Sequence, residues 1–208
     1  MQPSLDKKRN TCQRCLRPLR VCICGWITPV THATEVLLLQ HPLEVGHAKN
    51  SAGLLHLSLG HCRLLVGEAF DVEVLDGREP KYTVLLYPQS HCQGHETAAA
   101  LDPAQLADPA QVRLVVLDGT WRKSRKMLHL NPWLQRLPRL SLDQVPASLY
   151  SIRKAQEPGQ LSTLEAACLA LAQLENDAGK FVPLLNAFKG FVLQHANRVD
   201  HFKATALQ

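Results

Sequence analysis

The sequence lacks several features that define broad classes of protein. None of its apolar runs approaches the roughly 18 residues that a membrane-spanning helix needs. Its first ten residues lack the apolar core of a secretory signal peptide, and no internal repeat is visible. These absences predict a cytoplasmic protein with no membrane partner.

Aromatic residues make up only 5% of the chain, and this scarcity argues against a protein that only binds nucleic acid. Such a platform needs stacking side chains as well as basic surface. The hydrophobic fraction of 46% and the charged fraction of 20% are those of an ordinary globular protein. With 208 residues, the chain has room for one main domain and a small appended module. We expect a monomer.

The excess of positive charge lies at one end of the chain. The formal net charge is +5, and residues 1–25 carry six basic residues against one acidic residue, whereas the remainder is balanced. Such a patch suits a polyanion, most commonly a nucleic acid, although it could also be a solvated tail that only aids solubility. Its basic residues are Lys7, Lys8, Arg9, Arg14, Arg17 and Arg20.

Four of the seven cysteines form two close pairs near the N-terminus. Two thiol pairs on either side of a turn supply the four soft ligands of a tetrahedral zinc site, whereas unligated thiols this close would be prone to oxidation. Four cysteine ligands leave no open position for a catalytic water, so we predict a structural zinc ion in a module over residues 1–28. The ligands are Cys12, Cys15, Cys22 and Cys24.

A buried strand, a polar loop and a basic helix follow one another between residues 113 and 128. The branched aliphatic residues up to Leu117 are typical of a parallel strand that is buried on both faces. Asp118 then occupies the position where open α/β sheets bind ligands, although it could also merely cap the helix that follows Thr120. The helix adds a second basic cluster: Arg122, Lys123, Arg125 and Lys126.

The rest of the chain continues the α/β pattern. His41 lies at another strand end before a proline, so it could face a ligand or be a structural turn residue. Ser162 and Glu165 have the spacing of a capping box, although the same helix start could bind an anion. Further strands are predicted at 34–39, 62–66, 81–87 and 138–142, helices at 52–59, 161–174 and 183–198, a short helix and turn within 98–110, and a frayed tail from residue 200.

Five marks occur together in order: the cysteine cluster, Gln40-His41-Pro42 with Lys49-Asn50-Ser51, Tyr87-Pro88, Asp118-Gly-Thr-Trp121, and Leu161-Ser-Thr-Leu-Glu165-Ala. The D-x-T-W motif alone is a weak signal, but the ordered set resembles the DTW-domain family over residues 12–197. Its characterised members are tRNA-uridine aminocarboxypropyltransferases. The resemblance implies a SPOUT-like α/β fold over residues 29–208, with a C-terminal trefoil knot that holds S-adenosylmethionine.

The reaction implied by this resemblance is transfer of the 3-amino-3-carboxypropyl group of S-adenosylmethionine to N3 of a uridine in tRNA, which releases methylthioadenosine. Asp118, Thr120 and Trp121 would be the catalytic residues; Asp118 would accept or steer the imide proton, and Trp121 would stack on a base or anchor its helix. The implied cofactor site comprises Tyr87, Pro88, Asp118, Gly119, Thr120, Ser151, Ile152, Leu161, Ser162, Thr163 and Glu165. The tRNA would contact both basic clusters together with His41, Lys49 and Arg153.

Two other functions are open at this point. A SPOUT-type RNA methyltransferase would use the same cofactor but release S-adenosylhomocysteine. A non-catalytic zinc-ribbon RNA-binding protein would transfer nothing. Analysis of the reaction products separates the three.

Overall fold

The structure, a computed structural model, describes residues 10–47, 50–75, 80–89, 98–142 and 161–205, and the side chains of the last helix as far as Gln194. The strands are β1 (Glu35–Gln40), β2 (Cys62–Val66), β3 (Tyr82–Leu86), β4 (Val112–Asp118) and β5 (Arg139–Leu140). The α-helices are α1 (Ala52–Ser58), α2 (Trp121–Leu130), α3 (Pro132–Arg136), α4 (Thr163–Leu174) and α5 (Val182–Thr205). All strand pairs are parallel, in the order β2-β1-β4-β3-β5.

Both faces of the sheet are covered by helices. On one face, Val36 and Leu38 of β1 pack in a core with residues of α1, α4 and α5. On the other face, Leu37 and Leu39 pack in a smaller core with Met127 of α2. Because alternate residues of each strand point into different cores, the strands appear in the sequence as continuous apolar runs. The predicted α/β class with a parallel sheet is confirmed.

The central strands β1 and β4 end at a point where the chain diverges. From β1 the chain passes through α1 to β2 at one edge of the sheet, and from β4 it passes through α2 and α3 to β5 at the other edge. The register pairs Gln40 with Asp118, the last residues of these two strands. Neighbouring strands that diverge in this way form the usual ligand crevice of open α/β sheets.

The segment before β4 differs from the sequence prediction. Instead of a short helix and a turn, its described residues form two separate 3-10 turns, Pro103–Leu106 and Pro109–Gln111. Each turn is capped by the aspartate that precedes its proline, Asp102 or Asp108. Because a residue before proline avoids the helical conformation, the second Asp-Pro pair starts a new turn instead of extending the first.

Helix α5 is longer than predicted. The sequence prediction ended it at residue 198 and left a frayed tail, but the helix continues to Thr205. Its apolar pattern fades before that point, yet neither proline nor glycine interrupts residues 197–205, so a helix that has already nucleated can propagate. Among the described residues, no helix combines the length and apolar character that crossing a membrane requires.

Candidate active site

The Asp118 carboxylate lies among three elements, and only 4% of the residue is exposed. Its Oδ2 accepts hydrogen bonds from Gln40 Nε2 at 2.8 Å and from Asn50 Nδ2 at 2.7 Å. Its Oδ1 accepts one from the Thr163 hydroxyl at 2.7 Å. These four residues are the Asp118 cluster. Every donor that the described residues offer to this carboxylate is neutral.

Thr120, rather than Asp118, caps helix α2. The backbone of Thr120 is extended, and its Oγ1 accepts a hydrogen bond from Lys123 N at 3.4 Å. The structure therefore decides against the interpretation of Asp118 as the helix cap. The turn between them is crowded, because a Cβ on Gly119 would lie 3.1 Å from the Lys123 Cβ and 3.7 Å from the His41 Cβ.

The capping box predicted at the start of α4 is confirmed. Ser162 Oγ accepts from Glu165 N at 3.2 Å, and Glu165 Oε2 accepts from Ser162 N at 2.8 Å. In addition, Leu164 N donates to Ser51 Oγ at 3.3 Å, which joins this helix to the start of α1. These bonds fix the first turn of α4. Thr163 is the residue of this turn whose side chain binds Asp118.

Tyr87, which follows β3, contacts Trp121 at the start of α2. The two rings meet edge-on, with centroids 5.7 Å apart and an interplanar angle of 76°. Trp121 is 44% exposed, so the core anchor of α2 is Met127 and not the tryptophan. Together with the bond between Asp118 and Thr163, this contact brings together residues that follow β3, residues that follow β4 and the start of α4, and all of them belong to the catalytic and cofactor sets that the family resemblance implies.

A groove of about 540 Å³ lies beside the Asp118 cluster. His41 connects the two, since it lines the groove and its backbone N–H donates to the Asp118 carbonyl at 3.0 Å. His41 Nδ1 accepts from Leu43 N at 3.1 Å, so the proton is on Nε2, which donates to Glu68 Oε1 at 2.7 Å. The other oxygen of Glu68 pairs with Lys126 at 2.5 Å, and this bond lowers the pKa of Glu68. The groove-lining residues are His41, Leu43, Glu68, Thr120, Arg122, Lys123 and Lys126.

The four N-terminal cysteines have the spacing of a tetrahedral thiolate site. Their Sγ atoms all lie within 4.8 Å of one another, with Cys12 and Cys24 3.6 Å apart and Cys15 and Cys22 3.7 Å apart. Zinc–sulfur bonds of about 2.3 Å in a tetrahedron place the sulfurs roughly 3.8 Å apart. The residues present therefore fit a zinc ion, and we call residues 12–24 the cysteine knuckle.

A protein-family model described as the DTW domain matches residues 9–196. The chain belongs to the DTW domain family. The matched range contains the cysteine knuckle, the Asp118 cluster and the groove, so all three are parts of the DTW domain.

Relatives of this DTW-domain chain bear the name tRNA-uridine aminocarboxypropyltransferase. The Drosophila melanogaster protein with that name and the number 2 is 33% identical over 181 aligned positions, and the alignment covers 81% of this chain and 68% of the relative. The Mus musculus protein of the same name is 31% identical over 206 aligned positions, and the alignment covers 93% of this chain and 67% of the relative. The Arabidopsis thaliana protein designated A is 26% identical over 196 residues, 82% and 74% respectively. No solved structure matches the chain.

The DTW-domain structure separates the residues that the sequence assigns to RNA. Arg14 and Arg20 are exposed, as are the basic residues of α2 other than the half-buried Lys123, whereas Arg17 is buried. Of the cofactor residues, Pro88 and Leu161 are half-buried next to Tyr87 and Ser162. Seven of the assigned residues lie outside the described part of the chain: Lys7, Lys8, Arg9, Lys49, Ser151, Ile152 and Arg153.

Three residues of the site are not among the site residues that the sequence predicts, although two of them, Gln40 and Asn50, belong to the marks of the family resemblance. Gln40 and Asn50 bind the Asp118 carboxylate, and Glu68 links His41 to Lys126. Gln40 had a usable signal, since it is a polar residue that ends an apolar strand. Glu68 had none, because it lies in a turn after β2 without a motif or periodicity.

Proposed function

We propose that this chain transfers the 3-amino-3-carboxypropyl group of S-adenosylmethionine to N3 of a uridine in tRNA. The observation that carries the proposal is the Asp118 cluster, which joins β1, β4 and α4 at the ligand crevice of a DTW domain. The names of the relatives supply the reaction class, a transferase acting on uridine in tRNA.

The proposal includes a SPOUT-like fold with a C-terminal trefoil knot over residues 29–208, preceded by a zinc module over residues 1–28. The parallel sheet with its crevice between β1 and β4 supports the first part, and the geometry of the cysteines supports the second. The chain between β5 and α4 would form the knotted loop, and residues 143–160 of it lie outside the described part. An experimental structure with bound cofactor tests the threading.

Asp118 is proposed to hold the reacting groups through a remaining acceptor position. A carboxylate offers about four lone-pair positions, and the described residues use three of them. The fourth would accept either the imide hydrogen of the uridine or a hydrogen from the ammonium group of the cofactor. When bound, S-adenosylmethionine supplies an electrophilic γ-carbon and a neutral thioether leaving group. As N3 forms its new bond, it must lose its proton, which a positioned carboxylate can accept or steer.

The proposed cofactor contacts come from the segments after β3, after β4 and before α4. The bond from Thr163 to Asp118 and the contact of Tyr87 with Trp121 support their convergence. Ser162 and Glu165 would act through the capping box, which fixes the position of Thr163. The full proposed set is Tyr87, Pro88, Asp118, Gly119, Thr120, Ser151, Ile152, Leu161, Ser162, Thr163 and Glu165.

The tRNA is proposed to lie along the groove beside α2. The exposed cations of this helix suit phosphates, and Trp121 is exposed next to the groove residue Thr120, where it could stack on a base. Arg14 and Arg20 would add phosphate contacts near the cysteine knuckle. Because Arg17 is buried, it is not included in this surface.

The test of the reaction is mass spectrometry of both products after incubation of the protein with S-adenosylmethionine and unmodified tRNA. We expect an aminocarboxypropyl uridine and an equal amount of methylthioadenosine. A methylated nucleoside with S-adenosylhomocysteine would instead identify a methyltransferase. Binding of tRNA with neither product would identify a binding protein and contradict the proposal.

We propose one structural zinc ion per chain in the cysteine knuckle. Elemental analysis of protein purified without added metal should give one equivalent, because the four sulfurs have the spacing that zinc requires. A Cys12→Ser/Cys22→Ser double variant should lose the ion. Less than half an equivalent in the unchanged protein, or zinc retained by the double variant, would contradict this assignment.

A further inference from the structure

Arg17 is the buried member of the basic residues in the cysteine knuckle. Only 7% of it is exposed, whereas Arg14 and Arg20 are exposed. Its Nη2 donates to the Asn50 carbonyl at 2.7 Å, and its guanidinium carbon lies 5.9 Å from the centre of the Phe191 ring. A buried arginine must have its donors satisfied, so this side chain is committed to the protein interior.

The fold of the knuckle determines where Arg17 points. Cys12 N donates to the Arg17 carbonyl at 2.8 Å, and Leu16 N donates to the Cys12 carbonyl at 2.9 Å. Leu16 has a φ of 55°, a left-handed conformation that leucine rarely adopts. The turn that positions the Arg17 backbone therefore begins at Cys12 and contains Cys15, two of the four predicted metal ligands.

Asn50 connects Arg17 to the Asp118 cluster. Its backbone carbonyl accepts from Arg17, and its side-chain Nδ2 donates to Asp118 Oδ2 at 2.7 Å. Its Oδ1 accepts from Gly53 N at 3.2 Å, so the amide group is oriented with its nitrogen toward the carboxylate. A displacement of the Asn50 backbone would therefore move a donor away from Asp118.

We propose that Arg17 is a positioning residue through which the cysteine knuckle holds Asn50 against Asp118. The role assigned to Asp118 rests on the proposed function, but the link from knuckle to carboxylate does not. The sequence had placed Arg17 on the tRNA-binding surface with its neighbours. The hydrogen bond to Asn50 and the packing on Phe191 assign it instead to the support of the carboxylate.

The first experiment measures the link without any activity. Solvent exchange of the Asn50 side-chain amide, assigned by its loss in Asn50→Asp, is followed by NMR in the full chain. Arg17→Met keeps the aliphatic stem but removes the donor to Asn50, and it should speed this exchange by roughly tenfold or more. Arg14→Met and Arg20→Met remove the same charge from exposed positions and should leave the exchange unchanged. Zinc content is measured for every variant.

Removal of the metal extends the same measurement. Chelation of zinc from the unchanged protein should speed exchange of the Asn50 amide as Arg17→Met does, because the turn that carries Arg17 is released. If Arg17→Met fails to fold, Arg17→Leu replaces it, because leucine is also apolar and supplies no donor to the Asn50 carbonyl. Exchange that stays slow in a folded Arg17 variant with bound zinc would overturn the proposal.

The second experiment uses a double-mutant cycle on transfer to tRNA. Arg17→Met should lower kcat roughly tenfold with little change in KM for tRNA, whereas Arg14→Met should mainly raise KM. Because Arg17 acts through Asn50, the Arg17→Met/Asn50→Ala double variant should be no slower than Asn50→Ala alone. A raised KM with kcat unchanged would return Arg17 to the tRNA surface. If the unchanged protein transfers nothing, the proposed function fails, and the exchange experiment still decides the role of Arg17.

Discussion

Two carboxylates at the carboxyl-terminal end of the parallel strands are held in opposite ways. Asp118 is buried and accepts hydrogen bonds from neutral amides and a hydroxyl, whereas the Glu68 side chain is 33% exposed and pairs with His41 and Lys126. Neutral dipoles stabilise a buried carboxylate only in part, so its charge can still attract the next donor or cation that enters the site. The charge of Glu68 is already balanced. This difference supports the proposal that Asp118 acts on a bound ligand, and we propose that Glu68 adjusts the charge of the groove.

The largest effect is expected from Asp118→Asn, which removes the buried charge and keeps the shape. The new Oδ1 can accept from Gln40 and Asn50, and the new amide can donate to the Thr163 hydroxyl, so the cluster stays hydrogen-bonded. Single-turnover transfer to tRNA should fall by roughly 10²- to 10⁴-fold, the range typical of a positioned acid or base. Rapid-quench kinetics and calorimetric cofactor binding are the measurements.

The control for this variant is Asp108→Asn, which changes an exposed aspartate that caps a 3-10 turn. It should leave transfer unchanged, since asparagine caps as well as aspartate. If Asp118→Asn keeps cofactor affinity and loses turnover, its carboxylate serves the uridine proton. If it loses cofactor affinity, the carboxylate holds the cofactor ammonium. Normal turnover would show that Asp118 is only structural.

A smaller effect is expected from Thr163→Val, which has nearly the same shape but no hydroxyl. It would leave Asp118 Oδ1 without its described donor, at a loss of about 1–3 kcal/mol in unfolding free energy. Transfer should fall roughly tenfold, because the carboxylate is no longer held on that side. Thr163→Ser is the matched control, since it restores the hydroxyl and should recover most of the rate. Equal rates for Val and Ser would show that the bond to Thr163 does not orient Asp118.

The sequence predicted the position of Asp118 but not its partners. A run of aliphatic residues ending in an acid is a local pattern, and so is the Ser162–Glu165 capping box; both are confirmed. Gln40 and Asn50 reach Asp118 from sequence separations of 78 and 68 residues. Such contacts depend on the order of strands in the sheet, which periodicity does not encode.

The sequence also could not predict which of the charged residues would be buried. Arg14, Arg17 and Arg20 recur at intervals of three in one basic segment, yet only the middle one is buried. Backbone hydrogen bonds fix the turn from Cys12 to Arg17, and from this turn the Arg17 side chain reaches the Asn50 carbonyl. Composition identifies a basic patch, but backbone geometry decides which cations face the solvent.

The groove should respond to mutation with modest and opposite changes in tRNA affinity. Lys126→Met removes an exposed cation that could contact phosphate, so binding should weaken and the slope of log Kd against log salt should fall by roughly 0.7–0.9. Glu68→Gln keeps an oxygen for His41 but releases Lys126 from its ion pair, so binding should tighten a few-fold. Filter binding over a range of salt concentrations measures both.

Lys189→Met provides the control for the groove variants. Lys189 is exposed on α5, which packs on the other face of the sheet from α2, and its loss should leave the salt slope unchanged. If Lys126→Met and Lys189→Met behave alike, tRNA does not lie along the groove, and Glu68 does not adjust the charge of a tRNA-binding surface.

The smallest effect concerns His32, a buried polar group near Glu175 and Lys180. Its Nδ1 donates to the Thr34 carbonyl at 2.8 Å, and its Nε2 accepts from His61 N at 3.2 Å, so the neutral ring satisfies both bonds.

Burial lowers the pKa of His32, so acid protonates the unfolded chain first, and stability should fall as the pH drops below about 6.5. Burial raises the pKa of Glu175, but Lys180 and two backbone N–H groups together lower it by more. Protonation of Glu175 therefore affects stability only in more acidic solution than that in which His32 titrates in the unfolded chain. The decrease in Tm between pH 7.5 and 5.5, of roughly a few degrees, should therefore shrink in His32→Gln but persist in the exposed variant His47→Gln. An equal decrease in both variants would show that His32 does not carry the pH dependence.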